Sequence, residues 1–183
     1  MIIALAGKVG SGKSTIGDFL AKKLNMRRYS MGNMRRKMAL DRGITLAELN
    51  KLGEKEDWTD RKVDEYQKKL AKEEDNFVID GRLSWFFIPS SIKIFVDVNP
   101  KVGAERVFLA KRGSEKGYKS IEEAEKANKE RIESDIKRYK KLYNINPYKL
   151  ENYDIVLDTS EMTIEEMNKL ALKALRTFID DKQ

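Results

Sequence analysis

The stretch Gly7-Lys8-Val9-Gly10-Ser11-Gly12-Lys13-Ser14 decides the fold of this chain. It fits the pattern G-x-x-x-x-G-K-[ST], in which glycines let the backbone wrap around a phosphate while the lysine and the hydroxyl reach phosphate oxygens and a cation. An apolar run at 2–6 precedes it, and apolar residues at helical spacing follow it at 14–24. This context favours a phosphate-binding loop over a glycine-rich turn without a ligand, because a helix that starts here adds its dipole to the anion site. The residues expected around nucleotide phosphates are Gly7, Lys8, Val9, Gly10, Ser11, Gly12, Lys13, Ser14 and Thr15.

The rest of the chain alternates strand and helix patterns, which predicts an α/β protein with a parallel sheet covered by helices. Further strands are expected near 28–30 and at 77–79, 92–98 and 155–157. Helical patterns fill 32–72, so this segment is predicted to be an insertion between the second and third strands that covers the substrate. The segment 111–120 has no apolar periodicity and is predicted to be a mobile flap. Three helix starts match a capping box, at Thr45 with Glu48, Ser120 with Glu123, and Thr163 with Glu166.

The composition excludes several chemistries. The 183 residues contain no Cys and no His, which excludes a cysteine nucleophile, a Ser-His-Asp triad, a histidine base and Cys/His zinc sites. Carboxylates, Lys, Arg, hydroxyls and a hard cation such as Mg²⁺ remain available. The net charge of +7 favours phosphate ligands. No apolar run approaches the roughly 18 residues of a membrane span, so we expect a cytoplasmic protein without a membrane segment.

A candidate metal site lies at the end of the third predicted strand. Asp80 follows the apolar run 77–79, and the carboxyl ends of parallel strands share one edge of a sheet with the phosphate loop. An acid at this position holds Mg²⁺ or its waters in many phosphate-transfer proteins. Ser14 and Asp80 are therefore the predicted metal residues, and a turn-forming aspartate before Gly81 is the alternative.

Arginines outside the loop point to a second phosphate. Arg131, Asp135 and Arg138 share one face of a predicted helix, about 100° from the apolar stripe of Ile132, Ile136, Tyr139 and Tyr143. Arg82 follows the end of a strand, and Arg35 and Arg36 lie near the start of the next predicted helix. A surface ion pair is the alternative for any one of them. Their positions beside strand ends or the flap favour binding of two polyphosphates.

Together these residues resemble nucleoside monophosphate kinases, and among them archaeal-type cytidylate kinases most. The similarity runs from residue 1 to about residue 160. It rests on the phosphate loop, Ser30-Met31-Gly32 with Arg36, the acids Asp60 and Asp64, the run Asp80-Gly81-Arg82-Leu83-Ser84, the helix 131–139 and the segment 153–160. The resemblance implies a P-loop NTPase fold with a five-stranded parallel sheet. It also implies one domain over 1–183, with a core of 1–30, 77–110 and 140–183, a monophosphate-binding insertion at about 31–72 and a lid at about 111–131.

The resemblance also implies roles for individual residues. Acceptor contacts are expected from Ser30, Arg36, Asp64, Gly81, Arg82 and Asp135, and catalytic phosphate contacts from Lys13, Arg82, Arg112, Arg131 and Arg138. Asp135 matches a carboxylate that contacts the cytosine amino group. The spacing of Asp135 between two arginines equally allows a role in ordering their guanidiniums.

The implied activity is transfer of a phosphoryl group from ATP, with Mg²⁺, to CMP or dCMP. A kinase for AMP, UMP or another small phosphate acceptor is the nearest alternative. A P-loop protein that binds RNA or a partner and uses nucleotide as a switch is an alternative of another class, motivated by the positive charge. We expect a monomer that binds small nucleotides, without a nucleic-acid or membrane partner.

Overall fold

The computed structural model describes residues 1–110 and 117–182. Residues 111–116 of the predicted flap, with Arg112, lie outside the described residues. The strands are β1 Ile2–Gly7, β2 Arg27–Ser30, β3 Phe77–Asp80, β4 Ile92–Asp97 and β5 Ile155–Asp158. The helices are α1 Lys13–Lys23, α2 Met31–Leu40, α3 Leu46–Lys55, α4 Trp58–Glu73, α5 Ser84–Phe87, α6 Pro100–Leu109, α7 Ile121–Tyr143 and α8 Ile164–Asp180, with a 3₁₀ turn at Leu150–Asn152.

The five strands of the described chain form one parallel sheet in the order β2-β3-β1-β4-β5. This confirms the predicted fold class. β1 lies at the centre, between β3 and β4, and the strand order reverses beside it. A crevice at the carboxyl ends of the strands is expected at such a reversal, and the phosphate loop leaves β1 at this point.

The sheet has a hydrophobic core on each face because successive strand residues point in opposite directions. Ile3 and Leu5 of β1 pack with α1 and α8, whereas Ala4 faces α2, α3 and α4. Three helices, α2, α3 and α4, lie between β2 and β3, within the segment 32–72 that was expected to be helical. No helix among the described residues is long and apolar enough to cross a membrane.

One helix prediction is corrected, and the burial of α7 adds a feature that the sequence did not predict. At the start of α7, Ser120 Oγ accepts from the Glu123 backbone N–H, but the Glu123 carboxylate accepts from the Lys119 N–H, so the capping box is only half formed. Farther along α7 the buried residues include Ser134, Asp135 and Arg138 beside Tyr139, while Ile132 and Ile136 are only partly buried. The polar face of this helix is buried because its charges pair with residues of the neighbouring elements. The other two predicted capping boxes, at Thr45 and Thr163, are complete.

Candidate active site

The phosphate loop joins β1 to α1 in a conformation that requires glycine. Gly10 and Gly12 both have φ of +80°, a region that side chains with a Cβ rarely adopt. A Cβ on Gly10 would lie 2.1 Å from the carbonyl oxygen of Gly103 in α6, so the loop packs directly on that helix. Thr159, which follows β5, donates its hydroxyl to the Ser11 carbonyl oxygen at 3.0 Å. The Lys8 backbone N–H donates to the Val96 carbonyl oxygen of β4 at 3.1 Å. The loop is therefore supported by β4, by α6 and by the residue after β5, and its residues line a pocket.

Lys13 and Asp80 form an ion pair at the bottom of this pocket. The lysine Nζ lies 3.3 Å from Asp80 Oδ1, and Arg28 donates to Asp80 Oδ2 at 2.5 Å. Burial of the ammonium group lowers the pKa of Lys13 to about 8, an effect that Asp80 opposes and Arg82 adds to. Burial alone would raise the pKa of Asp80, but attraction to Lys13 and Arg28 outweighs it and lowers that pKa. At neutral pH both groups therefore carry their charges, and the Lys13 ammonium group provides a cation for a phosphate at the bottom of the pocket.

One pocket brings together most of the predicted site residues. Those that line it are Lys8, Val9, Gly10, Ser11, Gly12, Lys13, Ser14, Thr15, Arg36, Asp64, Asp80, Gly81, Arg82, Arg131 and Asp135. Residues that also line it without having been assigned a site role are Met31, Gly32, Arg35, Asn50, Val63, Gln67, Leu83 and Tyr139. The pocket lies between the phosphate loop and the helical insertion, as expected for a site that binds a phosphate donor and an acceptor.

Three predicted residues are not part of the pocket lining in the described chain. Gly7 ends β1 and accepts a hydrogen bond from Arg82 through its carbonyl oxygen. Ser30 caps α2 and donates to Asp80 Oδ1 at 3.2 Å. Arg138 is enclosed by protein, with only 1% of its side chain exposed. These residues contact the groups that line the pocket, and Arg112 lies outside the described residues.

Arg82 connects the phosphate loop to α7. Its Nη1 donates to the Gly7 carbonyl and its Nε donates to Asp135 Oδ2 at 2.8 Å. Tyr148 donates to the same carboxylate oxygen at 2.7 Å, while Arg138 donates to the other at 2.5 Å. Burial alone would raise the pKa of Asp135, but Arg82 and Arg138 outweigh it and hold that pKa well below its usual value. In this arrangement Asp135 orders two guanidiniums, which supports the second of the two roles considered for it.

Arg138 continues the network into the insertion. Its Nη1 donates to Oδ1 of Asp60 in α4, which also accepts from Arg35 Nη1 at 2.8 Å. Arg35 Nη2 donates to Asn50 Oδ1 at 3.0 Å. Asp60 was noted in the sequence only as part of the resemblance and Arg35 only as a helix-start arginine. No local pattern shows that residues 60 and 138 meet, because they are far apart in the chain.

A second polar group lies on the side of the pocket formed by α4. Tyr143 donates to Asp64 Oδ2 at 2.5 Å, Gln67 Nε2 lies 3.5 Å from Asp64 Oδ1, and the Ser84 hydroxyl donates to Gln67 Oε1 at 2.6 Å. Burial raises the pKa of Asp64 to about 6, with Asp60 adding to the increase and the Tyr143 hydrogen bond opposing it. Asp64 was predicted from the resemblance. Gln67 could have been found from its position three residues later, on the same face of α4.

Known proteins of one family resemble this chain over nearly its whole length. Residues 2–161 match the cytidylate kinase-like family. The chain is 35% identical to a cytidylate kinase of Methanothrix thermoacetophila over 178 residues, covering 97% of this chain and 99% of the relative. It is 33% identical to a cytidylate kinase of Natronomonas pharaonis over 183 residues, covering 99% and 92%. It is also 31% identical to a cytidylate kinase of Methanobrevibacter smithii, covering 97% and 100%.

Solved structures support the fold. A shikimate kinase from Aquifex aeolicus aligns with a TM-score of 0.58 at 23% identity, covering 96% of each chain. A shikimate kinase from Acinetobacter baumannii in complex with shikimate aligns with a TM-score of 0.62 at 16% identity, covering 99% of this chain and 94% of the other. At these identities the likeness is one of fold. The near full-length match to the family and to its curated members goes further: this chain belongs to the cytidylate kinase-like family.

Proposed function

We propose that this protein transfers a phosphoryl group from ATP to CMP or dCMP. The observation that carries the proposal is that a phosphate loop and arginines from other elements, among them Arg36, Arg82 and Arg131, line one pocket. A nucleotide switch needs only the loop. A kinase for a phosphorylated acceptor also needs cations that bind the acceptor phosphate opposite the donor, and these arginines supply them.

The proposed chemistry needs no histidine or other general base. The acceptor phosphate is already an oxyanion, so its oxygen attacks the γ-phosphorus of ATP and ADP leaves without a proton being removed first. Catalysis then depends on positioning and on charge neutralisation in a water-excluded site. Lys13 and the backbone N–H groups of the phosphate loop neutralise the donor. Arg36 and Arg82 bind the acceptor phosphate, and Arg131 contacts both the donor and the acceptor phosphates.

Arg138 fits a different task from the direct phosphate contact implied by the resemblance. Its guanidinium is enclosed between Asp60 and Asp135. From there it holds Asp135, which in turn holds Arg82 at the phosphate loop. We propose that Arg138 positions Arg82 through this carboxylate. The predicted lid arginine, Arg112, remains a proposal from the resemblance alone.

The residues beside Lys13 fit Mg²⁺ as part of a hydrated complex. Within residues 1–110 and 117–182 no cluster of three or more acidic, His or Cys side chains could hold a metal ion. The Ser14 hydroxyl lines the pocket, and hydroxyl and carboxylate oxygens are ligands that Mg²⁺ accepts. Because Asp80 already accepts from Lys13 and Arg28, it fits a contact to water on the ion better than direct ligation. Mg²⁺ bound with ATP would neutralise phosphate charge.

Turnover with a panel of acceptors tests the proposal. ATP and Mg²⁺ are supplied with CMP, dCMP, UMP, AMP or shikimate, and ADP formation is measured. We expect the highest kcat/KM for a cytidine nucleotide. A clear preference for another acceptor would contradict the base assignment, and tight, salt-dependent RNA binding without transfer to any acceptor would favour the nucleotide switch.

A variant pair tests the acceptor side of the pocket. Arg36→Ala should raise KM for CMP and leave KM for ATP unchanged, because Arg36 belongs to the insertion and not to the phosphate loop. Arg61→Ala is the matched control, since Arg61 is an exposed arginine that pairs only weakly with Asp57 at 3.4 Å. Equal behaviour of the two variants would remove Arg36 from the acceptor site.

A further inference from the structure

The contacts of α7 show which end of the acceptor site lies near the phosphate loop and which lies far from it. Arg131 acts electrostatically on Lys13, so it lies at the phosphate end. Asp135 follows and holds Arg82, whose other end contacts Gly7 at the start of the phosphate loop. Tyr143 lies at the last residue of the helix, about 18 Å farther along its axis than residue 131 at about 1.5 Å per residue. The helix therefore runs from the phosphate loop toward a distant part of the insertion.

This order bears on which carboxylate meets the nucleobase. An acceptor phosphate must face the γ-phosphate at the loop, so the base of that nucleotide extends away from it. Asp135 is separated from the loop by one guanidinium only, and its two oxygens already accept three hydrogen bonds from Arg82, Arg138 and Tyr148. Its position and its contacts place it beside the acceptor phosphate, not beside the base.

Asp80 is bound at the phosphate loop, and a third pocket carboxylate, Asp64, has the position and the chemistry for a base contact. Asp64 contacts Tyr143, at the far end of α7, and lines the pocket together with Gln67. The Ser84 hydroxyl donates to the Gln67 amide oxygen, so the amide nitrogen is the group of Gln67 left to point toward Asp64. Val63 and Leu83 line the same pocket and supply apolar surface for a flat ring. An acceptor oxygen and a donor nitrogen thus lie side by side.

Resting on the proposed function, we propose that Asp64 and Gln67, and not Asp135, read the base of the acceptor nucleotide. The 4-amino group of cytosine donates to Asp64 Oδ1, whose contact with Gln67 Nε2 is long at 3.5 Å, and Gln67 Nε2 donates to the ring N3. Uracil carries a carbonyl oxygen in place of the 4-amino group and an N–H in place of the unprotonated N3. Its carbonyl oxygen would face the Asp64 carboxylate oxygen, and its N–H would face the N–H of Gln67, so both contacts would be repulsive. Cytosine is complementary and uracil is not.

The matched variants Asp64→Asn and Asp135→Asn test this assignment. In Asp64→Asn, Tyr143 continues to donate to the amide oxygen, which turns the new NH₂ toward the base. We expect kcat/KM for CMP to fall about 10- to 100-fold, because a charged acceptor is replaced by a donor, and the CMP to UMP ratio to fall at least as much. Asp135→Asn should lower turnover with both acceptors and leave that ratio unchanged. KM for ATP should stay near the wild-type value in Asp64→Asn.

A substrate lacking the amino group provides the complementary test on the wild-type protein. The 5′-monophosphate of 2-pyrimidinone riboside has hydrogen in place of the 4-amino group. We expect its kcat/KM with the wild-type protein to be lower than that of CMP by a similar factor. For this analogue, kcat/KM should be nearly the same in Asp64→Asn as in the wild-type protein, since the analogue lacks the amino group that contacts Asp64. If Asp64→Asn fails to fold, Gln67→Glu is used, which keeps an acceptor for Ser84 but removes the donor to N3. We expect about a 10-fold loss with CMP.

The outcomes separate the base assignment from the proposed function. Wild-type protein that phosphorylates CMP, with an unchanged CMP to UMP ratio in both Asp64→Asn and Gln67→Glu, overturns the base assignment alone. A ratio that changes in Asp135→Asn and not in Asp64→Asn returns the role to Asp135. Wild-type protein that phosphorylates no nucleoside monophosphate overturns the proposed function and the assignment together.

Discussion

Lys13 Nζ lies 3.3 Å from Asp80 Oδ1, so the lysine of the phosphate loop is paired with the acid that ends the neighbouring strand. The two residues are brought together by the register of the sheet, in which Leu5 of β1 is paired with Asp80 of β3. The carboxylate holds the Lys13 ammonium group in a buried place, where phosphate oxygens are expected to bind.

Removal of this charge should abolish most of the transfer activity. We expect Lys13→Ala to lower kcat by roughly 100- to 1000-fold, the effect of losing one group that stabilises transition-state charge in a preorganised site. The circular dichroism spectrum and the unfolding midpoint should change little, because no core side chain is removed. Near-native kcat at saturating ATP would show that Lys13 does not bind the transferred phosphate.

ATP binding should be coupled to proton uptake by Lys13. Because its pKa is about 8, the ammonium group is only about half protonated at pH 8, and the negative charge of a bound triphosphate favours the protonated form. We expect uptake of about half a proton per ATP at this pH. Calorimetric titration in two buffers of different ionisation enthalpy measures it. Lys13→Met is the control, and it should take up fewer protons per ATP than the wild-type protein. Equal proton uptake by the two proteins would assign the proton to another group.

The buried cluster around Asp60 should contribute strongly to stability. Oδ1 of Asp60 accepts from both Arg35 and Arg138, and Asp60→Ala would leave these two buried guanidiniums without that partner. We expect the free energy of unfolding in urea to fall by about 3 to 5 kcal/mol. Asp57→Ala is the matched control, since its partners Arg61 and Lys141 are exposed, and it should cost about 1 kcal/mol or less. Similar losses for the two variants would contradict a special role for the Asp60 cluster.

Asp64 should make the stability of the protein dependent on pH. Its pKa is raised to about 6 from an ordinary value of 3.8, so the folded protein binds the proton more tightly than the unfolded chain. This contribution is fully present below about pH 4 and is lost as the pH rises through 6, a change of about 3 kcal/mol. Asp64→Asn carries no titrating group, so its stability relative to wild type should rise from pH 4 to pH 7.5. Parallel stability profiles for the two proteins in urea denaturation would contradict the raised pKa.

Local sequence was sufficient for the phosphate loop and the sheet. The glycine spacing between a strand and a helix defines a conformation that few residues can adopt, so Gly10, Gly12 and Lys13 are predictable from neighbours in the chain. Asp80 was likewise predictable as the end of a buried strand, and the structure shows that this strand pairs with β1. Continuous apolar runs predicted β1, β3, β4 and β5, whereas β2, with the sequence Arg27-Arg28-Tyr29-Ser30, has no such run and was expected only as a short strand near 28–30.

The roles of the charges on α7 could not be derived locally. The sequence showed that Arg131, Asp135 and Arg138 share a face about 100° from an apolar stripe, but not that Asp135 and Arg138 on this face are buried. Burial of that charged face depends on Asp60 and Arg82, which lie 78 and 53 residues away from their α7 partners. A local pattern contains no information on such a pairing, because a charge is buried only where a distant partner offsets its desolvation.

The sequence by itself therefore determined the nucleotide-binding fold, the phosphate loop and the supply of arginines. These depend on backbone conformation and on periodicity, which neighbouring residues dictate. Only the tertiary structure decided which arginines line the pocket, that Asp135 orders Arg82 and Arg138, and that Asp64 and Gln67 lie together at the other end of the site. The direction of each of these side chains is set by hydrogen bonds between helices that meet only when the chain has folded.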